Sequence, residues 1–378
     1  MKLFFTATAV LASTIVGVGM FSLPYVGSKA GFGIAAIFLL FLAVILTLVH
    51  LLYGEIVCRT KGKHRLVGYA DIYLGVWGKR IVSISVVVGF YSSLLVYIIV
   101  GGSFLKDIFS SVFSAPPVFF NLMFFTIGAF AVYGGLKIIG KMDLLMGFLL
   151  VAIVLIFFCL GVSRINTDNL TGLDWRNSLI PYGATLYSLA GLSVIPEIKN
   201  FFKKSENKKY KTVILWGTII PAFLYLLFVL TVIGLTGAGT TEESILGLSR
   251  VLGNKAIFMG AVFGFLATIT SFFSIGISLK ETYVCDYGIN KNLSWLLVCF
   301  IPLIMFALGV DNFITIITLT GALLGAIEGT AVVLIHKKAV KFGSKIDDYK
   351  IKIPAIIGNI IIVVFVVGFI ATLYFTLR

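Results

Sequence analysis

Apolar runs of about twenty residues recur along nearly the whole chain, and they restrict its fold more than any other feature. A run of that length is what a helix needs to cross the hydrocarbon core of a bilayer. Hydrophobic residues fill 59% of the 378 positions and charged residues only 12%, whereas a soluble domain has about 25% charged residues. No polar stretch is long enough for a separate soluble domain. The sequence therefore predicts one membrane domain over residues 1–378.

Eleven membrane-spanning helices can be placed on these runs. Helices are favoured because backbone polar groups in lipid must pair within the segment, and the runs are too uniformly apolar for the alternating strands of a barrel. The predicted spans are 3–26, 31–57, 81–105, 118–137, 142–162, 180–198, 212–236, 256–280, 292–309, 312–336 and 353–377. We interpret the first run as a retained span rather than a signal peptide. The expected fold class is an all-α integral membrane protein.

The basic residues predict the orientation of the chain. Three basic segments, 59–80, 199–211 and 337–352, carry six lysines or arginines each. With the N-terminus in the cytoplasm, 23 of the 30 lysines and arginines fall on the cytoplasmic side, as is typical of membrane proteins. We therefore expect a multi-pass protein of the cell membrane (inner or plasma membrane) with its C-terminus outside. Contact with the bilayer explains the net charge of +14 better than nucleic-acid binding, for which no motif is present.

The cysteines predict neither a disulfide framework nor a zinc site. They lie in or beside apolar segments without CxxC spacing, at Cys58, Cys159, Cys285 and Cys299.

The spans divide into two halves of equal length. Spans one to five cover about 3–162 and spans six to ten cover about 180–338, which leaves 353–377 as an extra C-terminal helix. Because five is odd, the second half must enter the membrane from the opposite side. Equal halves of opposite topology suggest a 5+5 inverted repeat, with a coincidence of length as the alternative.

The first span of each half is interrupted by residues that weaken a helix. The interruptions read Gly17-Val18-Gly19-Met20-Phe21-Ser22-Leu23-Pro24 and Ser188-Leu189-Ala190-Gly191-Leu192-Ser193-Val194-Ile195-Pro196. Glycine costs about 1 kcal/mol in a helix interior and proline about 3 kcal/mol. Unwound backbone at membrane depth is tolerated only where protein or a wet cavity surrounds it. Matched interruptions in opposed halves therefore indicate a binding site at mid-membrane, although either one alone could be a packing device or a kink.

Such a pair of breaks suits a zwitterionic amino acid. A half-helix that begins at a break presents N–H groups and a positive dipole end to a carboxylate, and one that ends there presents carbonyls to an ammonium group or a cation. Two tyrosines of span three are further candidates, with packing or interfacial anchoring as the alternative. The predicted substrate-binding residues are Gly17, Val18, Gly19, Met20, Phe21, Tyr91, Tyr97, Ser188, Leu189, Ala190 and Gly191. Neither break contains an acid or a base, which favours a neutral amino acid.

The two interruptions also carry a family resemblance. GVGMFSLPYVGSKAGF and LYSLAGLSVIPEIKN resemble the first and sixth helices of the amino acid/auxin permease family, with its G-x-G-x-x-x-L-P pattern and its V-I-P-E after a small-residue break. That family belongs to the amino acid–polyamine–organocation (APC) superfamily and has the LeuT-type fold. The resemblance implies a symporter that works by alternating access, coupled to H+ or Na+ and without a cofactor. Span ten lacks the expected proline between Ala331 and His336.

The coupling ion is left open between sodium and a proton. Span eight is rich in hydroxyls, and the resemblance implies a Na+ site made by Thr270 and Ser271 with the carbonyls of Ser13 and Val16. A hydroxyl stripe at a helix contact is the alternative. For a proton the candidate is Glu328, the deepest acid of the chain, about 12 Å from the inner end of span ten. A neutral structural role is its alternative.

Other function classes fit less well. A channel would need charge rings or a filter loop, and a membrane enzyme would need a cluster of reactive side chains inside the spans, so we expect no enzyme. An amino-acid sensor on a transporter fold, or a channel-like facilitator, is the alternative function. Four titratable residues fall near cytoplasmic span ends, where ion pairs with loop lysines are expected: His50, Glu55, Glu197 and Glu281. The sequence does not indicate an oligomeric state.

Overall fold

The computed structural model describes residues 2–109, 112, 114–134, 139–346 and 348–377. Within these ranges every regular element is a helix, so the predicted all-helical membrane architecture is confirmed. The last residues of predicted span four, 135–137, lie outside the described residues. The α-helices are α1 Lys2–Ile15, α2 Gly19–Ala30, α3 Phe32–Arg59, α4 Leu66–Phe109, α5 Pro117–Gly134, α6 Ile139–Gly161, α7 Asp168–Thr171, α8 Ile180–Ser188, α9 Ile195–Ile198, α10 Asn207–Thr236, α11 Ile245–Leu252, α12 Asn254–Asp286, α13 Lys291–Ala307, α14 Phe313–Leu324, α15 Thr330–Phe342 and α16 Ala355–Leu377.

Fewer uninterrupted apolar helices of spanning length occur among the described residues than the eleven spans that the sequence predicts. Among the described residues, eight helical stretches are long and apolar enough to cross a membrane, or nine if α1 and α2, bent by 52°, form one span. Helical segments lie at all eleven predicted places, but span six is divided between the short helices α8 and α9. Span nine is the 17-residue α13, shorter than the twenty or so residues that a crossing needs. The count of eleven, the inverted repeat and the status of α16 as an extra helix stay predictions.

Helix α4 combines two segments. Gly75 has φ +77°, a conformation that glycine adopts without steric cost. This kink separates a short helix in the first basic segment from the long apolar stretch that contains predicted span three.

Helix α16 packs against the second half of the chain. The Tyr182 hydroxyl of α8 donates to the Val364 carbonyl at 3.0 Å. Phe365 is fully buried and lies against Gly329, where a Cβ would stand 2.3 Å from its ring. Gly329 ends a π-helical turn, Gly325–Gly329, between α14 and α15. Helix α16 therefore supports both the first half of span six and the turn inside span ten.

The three basic segments meet at one face of the molecule. Ser344 donates its N–H to the Arg59 carbonyl at 2.8 Å, and the Arg59 side chain donates to the Ser344 carbonyl at 3.2 Å. Lys211 donates to the Lys350 carbonyl at 3.4 Å. We call this side of the protein the basic face.

Candidate functional site: two helix breaks and two cavities

The first break separates α1, which ends at Ile15, from α2, which begins at Gly19. The Gly17 N–H donates to the Ile15 carbonyl at 3.0 Å, whereas a continuous helix would direct it to Ser13, four residues back. The Ser13 carbonyl is thereby released from the helical ladder. No side chain caps the first N–H groups of α2. The Met20 and Phe21 N–H groups donate to the Gly17 and Val18 carbonyls at 3.2 and 3.1 Å. The break thus presents carbonyls from one half-helix and, at the start of the other, the N–H groups of Val18 and Gly19.

The second break follows α8. The Ala190 N–H turns back to the Tyr187 carbonyl at 3.2 Å, and Gly191 leaves the helical region with φ −149° and ψ 8°. A short 3₁₀ turn, Leu192–Val194, leads into α9. As at the first break, one half-helix ends and another begins within a few residues.

The structure brings the two breaks together. A Cβ on Gly19 would lie 2.6 Å from Ser188 Oγ and 2.8 Å from Ser188 Cα, and one on Gly191 would lie 2.7 Å from the Ile15 side chain. Such approaches are closer than Cβ atoms make in proteins. The glycines therefore allow the backbone of one half of the chain to touch the other half.

Tyr225 of α10 contacts the backbone of both breaks. Its fully buried hydroxyl lies 2.8 Å from the Ile15 carbonyl and 3.0 Å from the Ser188 carbonyl. These are the last residues of α1 and α8, so one O–H group lies between two helix C-terminal ends, where both dipoles are negative. Sequence reasoning missed Tyr225, because a tyrosine in an apolar span carries no signal of what its hydroxyl will bind.

A cavity of about 1490 Å³ reaches both breaks from the basic face. All three basic segments contribute residues to its lining. The predicted site residues that line it are Gly17, Val18, Gly19, Tyr97, Ser188, Ala190, Gly191 and Glu328. The breaks are thus accessible from the side that the charge pattern predicts to be cytoplasmic.

Aromatic packing closes the opposite side of the breaks. Phe21 is fully buried, with its ring centroid 4.9 Å from that of Phe104 and 6.3 Å from that of Phe228. Its carbonyl accepts a hydrogen bond from the Ser244 hydroxyl. Met20 is buried as well. The lining of neither described cavity includes these two predicted substrate residues.

A small cavity of about 60 Å³ lies beside the first break. The four residues predicted for sodium line it together: Ser13, Val16, Thr270 and Ser271, with Thr14, Tyr97, Gly147, Ala267, Ser274 and Ile275. The volume exceeds the roughly 10–15 Å³ that one water needs. The Thr270 hydroxyl directs its proton to the carbonyls of Leu266 and Ala267, each at 3.0 Å, which leaves oxygen lone pairs for a cation.

Tyr97 lines both cavities and connects them. Its hydroxyl lies near those of Ser271 and Tyr187, and the Tyr187 hydroxyl donates to Ser93 at 3.0 Å. A chain of hydroxyls thus runs from α12 through α4 to α8, the helix that ends at the second break.

Tyr91 lies elsewhere, although it was predicted beside Tyr97. Its hydroxyl pairs with that of Tyr283 at 2.7 Å, and it lines neither described cavity. The two tyrosines are six residues apart, which places them about 240° apart around the helix. Leu189 is likewise buried behind the second break rather than in a cavity wall.

Glu328 lies in the π-helical turn Gly325–Gly329 and lines the large cavity. The Ser85 hydroxyl of α4 donates to its carboxylate at 3.4 Å. Turns of this kind occur often at functional sites because they displace a side chain from the regular helical phase.

His50 is not near a helix end, which corrects the sequence interpretation. Helix α3 continues to Arg59, nine residues or about 13 Å further on. The ring is fully buried, lines the large cavity, and lies against Gly191 of the second break.

Glu55 is buried at the inner end of α3 in a charged cluster. It pairs with Arg59 at 2.7 Å and with His336 of α15 at 3.0 Å, and it accepts the Ile351 N–H at 2.8 Å. The predicted lysine partners are therefore wrong, since arginine and histidine take that place. The cluster fastens α3, α15 and the third basic segment to one another.

At the cavity mouth, Arg65 faces two acids from different helices. Its guanidinium lies 2.9 Å from Glu197 of α9 and 3.8 Å from Glu281 of α12. The partner is again arginine rather than the predicted lysine, which suits a planar group that can contact two carboxylates.

Comparison with known proteins places these features in a family. The tryptophan/tyrosine permease family matches residues 1–374. Glutamine transporter 2 of Aliivibrio fischeri is 26% identical over 330 residues, which are 85% of each chain. Tyrosine-specific transport system 1 of Haemophilus influenzae is 27% identical over 327 residues, 80% of this chain and 79% of that protein.

Solved structures resemble the whole chain. MhsT in complex with L-phenylalanine has a TM-score of 0.66 at 16% identity, over 100% of this chain and 98% of its own. Mhp1 has a TM-score of 0.68 at 14% identity, over 99% of this chain and 91% of its own. It is a nucleobase-cation-symport-1 family transporter, solved in a closed conformation with bromovinylhydantoin bound. These likenesses show the fold, which is all-helical and of the LeuT/Mhp1 type.

The family match sharpens the resemblance seen in the two motifs. It supports an APC-like amino-acid transporter, while assignment to the amino acid/auxin permeases themselves stays a prediction. The homologues are transporters, so the chain is not an enzyme. The chain belongs to the tryptophan/tyrosine permease family and is a multi-pass membrane transporter of amino acids.

Proposed function

We propose that the protein is a symporter that carries a neutral amino acid together with Na+ or H+ by alternating access. The observation that carries this proposal is the contact of Gly19 with Ser188 at the inner end of the large cavity. It brings a helix N-terminus and two helix C-terminal ends to one place that solvent can reach.

An amino acid matches these groups at both ends. Its carboxylate would accept from the N–H groups that begin α2, where the helix dipole is positive. Its ammonium group would donate to the carbonyls that end α1 and α8, beside the Tyr225 hydroxyl. Because every amino acid has both groups, this part of the site would recognise the class, and other residues would select the side chain.

A neutral side chain is supported by the residues beside the breaks. The cavity there is lined by Leu46, Val49, Leu186, Tyr187 and Tyr97. The relatives are described as transporters of glutamine and of tyrosine, and the family as one for tryptophan and tyrosine. These three substrates are neutral, and each side chain carries an N–H or O–H donor.

Two sites could couple transport to an ion. The small cavity offers the hydroxyls of Thr270 and Ser271 with the carbonyls of Ser13 and Val16, a set of hard oxygen ligands. Glu328 offers a carboxyl group that faces the large cavity. The first would bind Na+ and the second would carry a proton.

The basic face would be cytoplasmic, because basic loops are retained on that side. The structure would then represent an inward-open state of a cell-membrane transporter, since the cavity opens to the basic face and the cluster around Phe21 closes the other side.

Counterflow in proteoliposomes tests the proposal. Vesicles are loaded with unlabelled amino acid and diluted into labelled tyrosine, tryptophan or glutamine at equal ion concentrations. A transporter accumulates label transiently above equilibrium, whereas a channel-like facilitator only equilibrates it and a sensor moves none. Transient accumulation of at least one neutral amino acid is the expected result. Its absence for all twenty amino acids would refute the proposal.

A further inference from the structure

His50 of α3 is a buried imidazole with one bonded and one unpartnered nitrogen. Nδ1 lies 3.0 Å from the Thr218 hydroxyl of α10. Nε2 has no hydrogen-bond partner within the described part of the chain, although the ring is fully buried. Buried polar atoms in proteins are nearly always hydrogen-bonded. A free one beside a cavity is therefore a candidate for ligand contact.

The hydrogen bonds around Thr218 fix the state of the ring. The Thr218 hydroxyl donates its only proton to the Ile214 carbonyl at 2.9 Å. It must therefore accept from Nδ1–H, which leaves a lone pair on Nε2. His50 takes part in no ion pair among the described residues. The ring thus presents a neutral hydrogen-bond acceptor.

The ring lies at the wall of the substrate cavity. A Cβ on Gly191 would stand 3.2 Å from Cε1, the carbon bonded to Nε2. Gly191 has no side chain to cover this edge, and both residues line the large cavity. Leu46 and Val49, on the preceding turn of α3, line it as well. The acceptor therefore lies beside the second break, next to two apolar side chains of its own helix.

We propose that His50 Nε2 accepts a hydrogen bond from the side chain of the transported amino acid, and so selects neutral amino acids whose side chains carry an N–H or O–H donor. The inference rests on the proposed function, which assigns the ammonium and carboxylate groups to the breaks and leaves the side chain to reach the wall. Tyrosine, tryptophan and glutamine have such a donor, whereas phenylalanine and leucine have none.

Selection follows from whether the substrate side chain can donate a hydrogen bond to His50 Nε2. A side chain with a donor pairs the buried Nε2 acceptor, whereas one without a donor leaves it unpaired, so tyrosine gains a hydrogen bond that phenylalanine cannot make. Thr218 is a positioning residue here, because it holds the tautomer in which Nε2 is the acceptor.

The test compares tyrosine with phenylalanine, which differ only in the hydroxyl group. KM for uptake is measured in proteoliposomes containing the parent protein, His50→Leu or His50→Gln. In the parent we expect the KM for tyrosine to be about tenfold or more below that for phenylalanine. His50→Leu should bring the two KM values within about twofold of each other. His50→Gln offers an amide oxygen and should keep an intermediate preference.

A matched pair on α10 separates positioning from packing. Thr218→Val removes the acceptor for Nδ1 and should reduce the tyrosine preference. Thr231→Val removes an equally buried hydroxyl, which donates to the Leu227 carbonyl at 2.7 Å. Thr231 does not line the cavity. This variant should leave the ratio of KM values unchanged.

Competition in the parent protein gives a second measurement if His50→Leu does not fold. Unlabelled 4-aminophenylalanine restores an N–H donor and should compete like tyrosine, whereas O-methyltyrosine lacks a donor and should compete like phenylalanine. A parent that takes phenylalanine as well as tyrosine, or a His50→Leu protein that keeps the full preference, would overturn the inference. Either result leaves the proposed function standing, because that function is tested separately by counterflow and by gradient-driven accumulation.

Discussion

Gly19 and Ser188 touch across the two helix breaks, so closely that a Cβ on Gly19 would lie 2.8 Å from Ser188 Cα. Gly19 is the first residue of α2, and Ser188 is the last residue of α8. Neither has side-chain chemistry that identifies a transporter. Their contact matters because it unites backbone groups of both halves of the chain at the end of a cavity.

Gly19→Ala should strongly slow counterflow. The atom in the way is backbone, which cannot rotate aside, so the breaks must separate at a cost of about 1–3 kcal/mol, and we expect at least about a tenfold loss of rate. Gly172→Ala is the control, because its Cβ would have no atom within 4 Å and the residue lines neither described cavity. Equal rates in the two variants would contradict the role given to the contact.

Tyr225→Phe should raise the KM for the substrate. The change leaves the Ile15 and Ser188 carbonyls without their shared donor, and a lost buried hydrogen bond costs about 1 kcal/mol. Tyr182→Phe also removes a hydroxyl that donates to a backbone carbonyl, Val364. The two variants should lose similar thermal stability, measured by unfolding in detergent, but only Tyr225→Phe should change KM. An unchanged KM in Tyr225→Phe would show that the hydroxyl does not shape the site.

Thr270→Val and Ser271→Ala should raise the Na+ concentration for half-maximal uptake. Each removes an oxygen from the small cavity, and we expect about a tenfold change for the pair. Thr268→Val serves as the control, since its hydroxyl is buried on the same helix and bonds the Gly264 carbonyl at 2.6 Å. If Na+ does not stimulate uptake in the parent protein, the sodium site is wrong.

Glu328→Gln should abolish accumulation driven by a pH gradient and leave counterflow intact. The amide keeps the size of the side chain but cannot carry the proton. Ser85→Ala removes the hydroxyl that donates to the carboxylate at 3.4 Å and should keep pH-driven uptake. Uptake in Glu328→Gln that follows the pH gradient as in the parent would rule out a proton carrier at this position.

Glu55→Gln should lower the thermal stability strongly. It leaves the buried Arg59 without a counter-charge and the buried His336 ring without its carboxylate partner, and breaking a buried pair costs about 3–5 kcal/mol. Glu197→Gln breaks a half-exposed contact with Arg65, which is worth only about 0–1 kcal/mol. Similar melting temperatures for the two variants would contradict this difference.

The sequence predicts the parts of this molecule that depend on length and composition. Apolar runs locate the helices, glycine and proline locate both breaks, and the lysines and arginines locate the basic face. These sequence patterns do not predict contacts between residues that are far apart in the chain. Nothing in the apolar run around Tyr225 or His50 indicates which group the side chain will bond. Because span three is uniformly hydrophobic, its sequence does not indicate which face of the helix points to the cavity. Tyr91 and Tyr97 therefore appear equivalent in the sequence, although of the two only Tyr97 lines a cavity.

Uphill accumulation of labelled tyrosine in proteoliposomes tests the central claim most directly. The internal and external tyrosine concentrations start equal, and a Na+ gradient or a pH gradient is imposed alone in separate samples. The account predicts concentrative uptake under at least one gradient, strongly slowed in Gly19→Ala and kept in Gly172→Ala. Tyrosine that never rises above equilibrium under either gradient, in a protein that exchanges it by counterflow, would contradict symport at the two breaks.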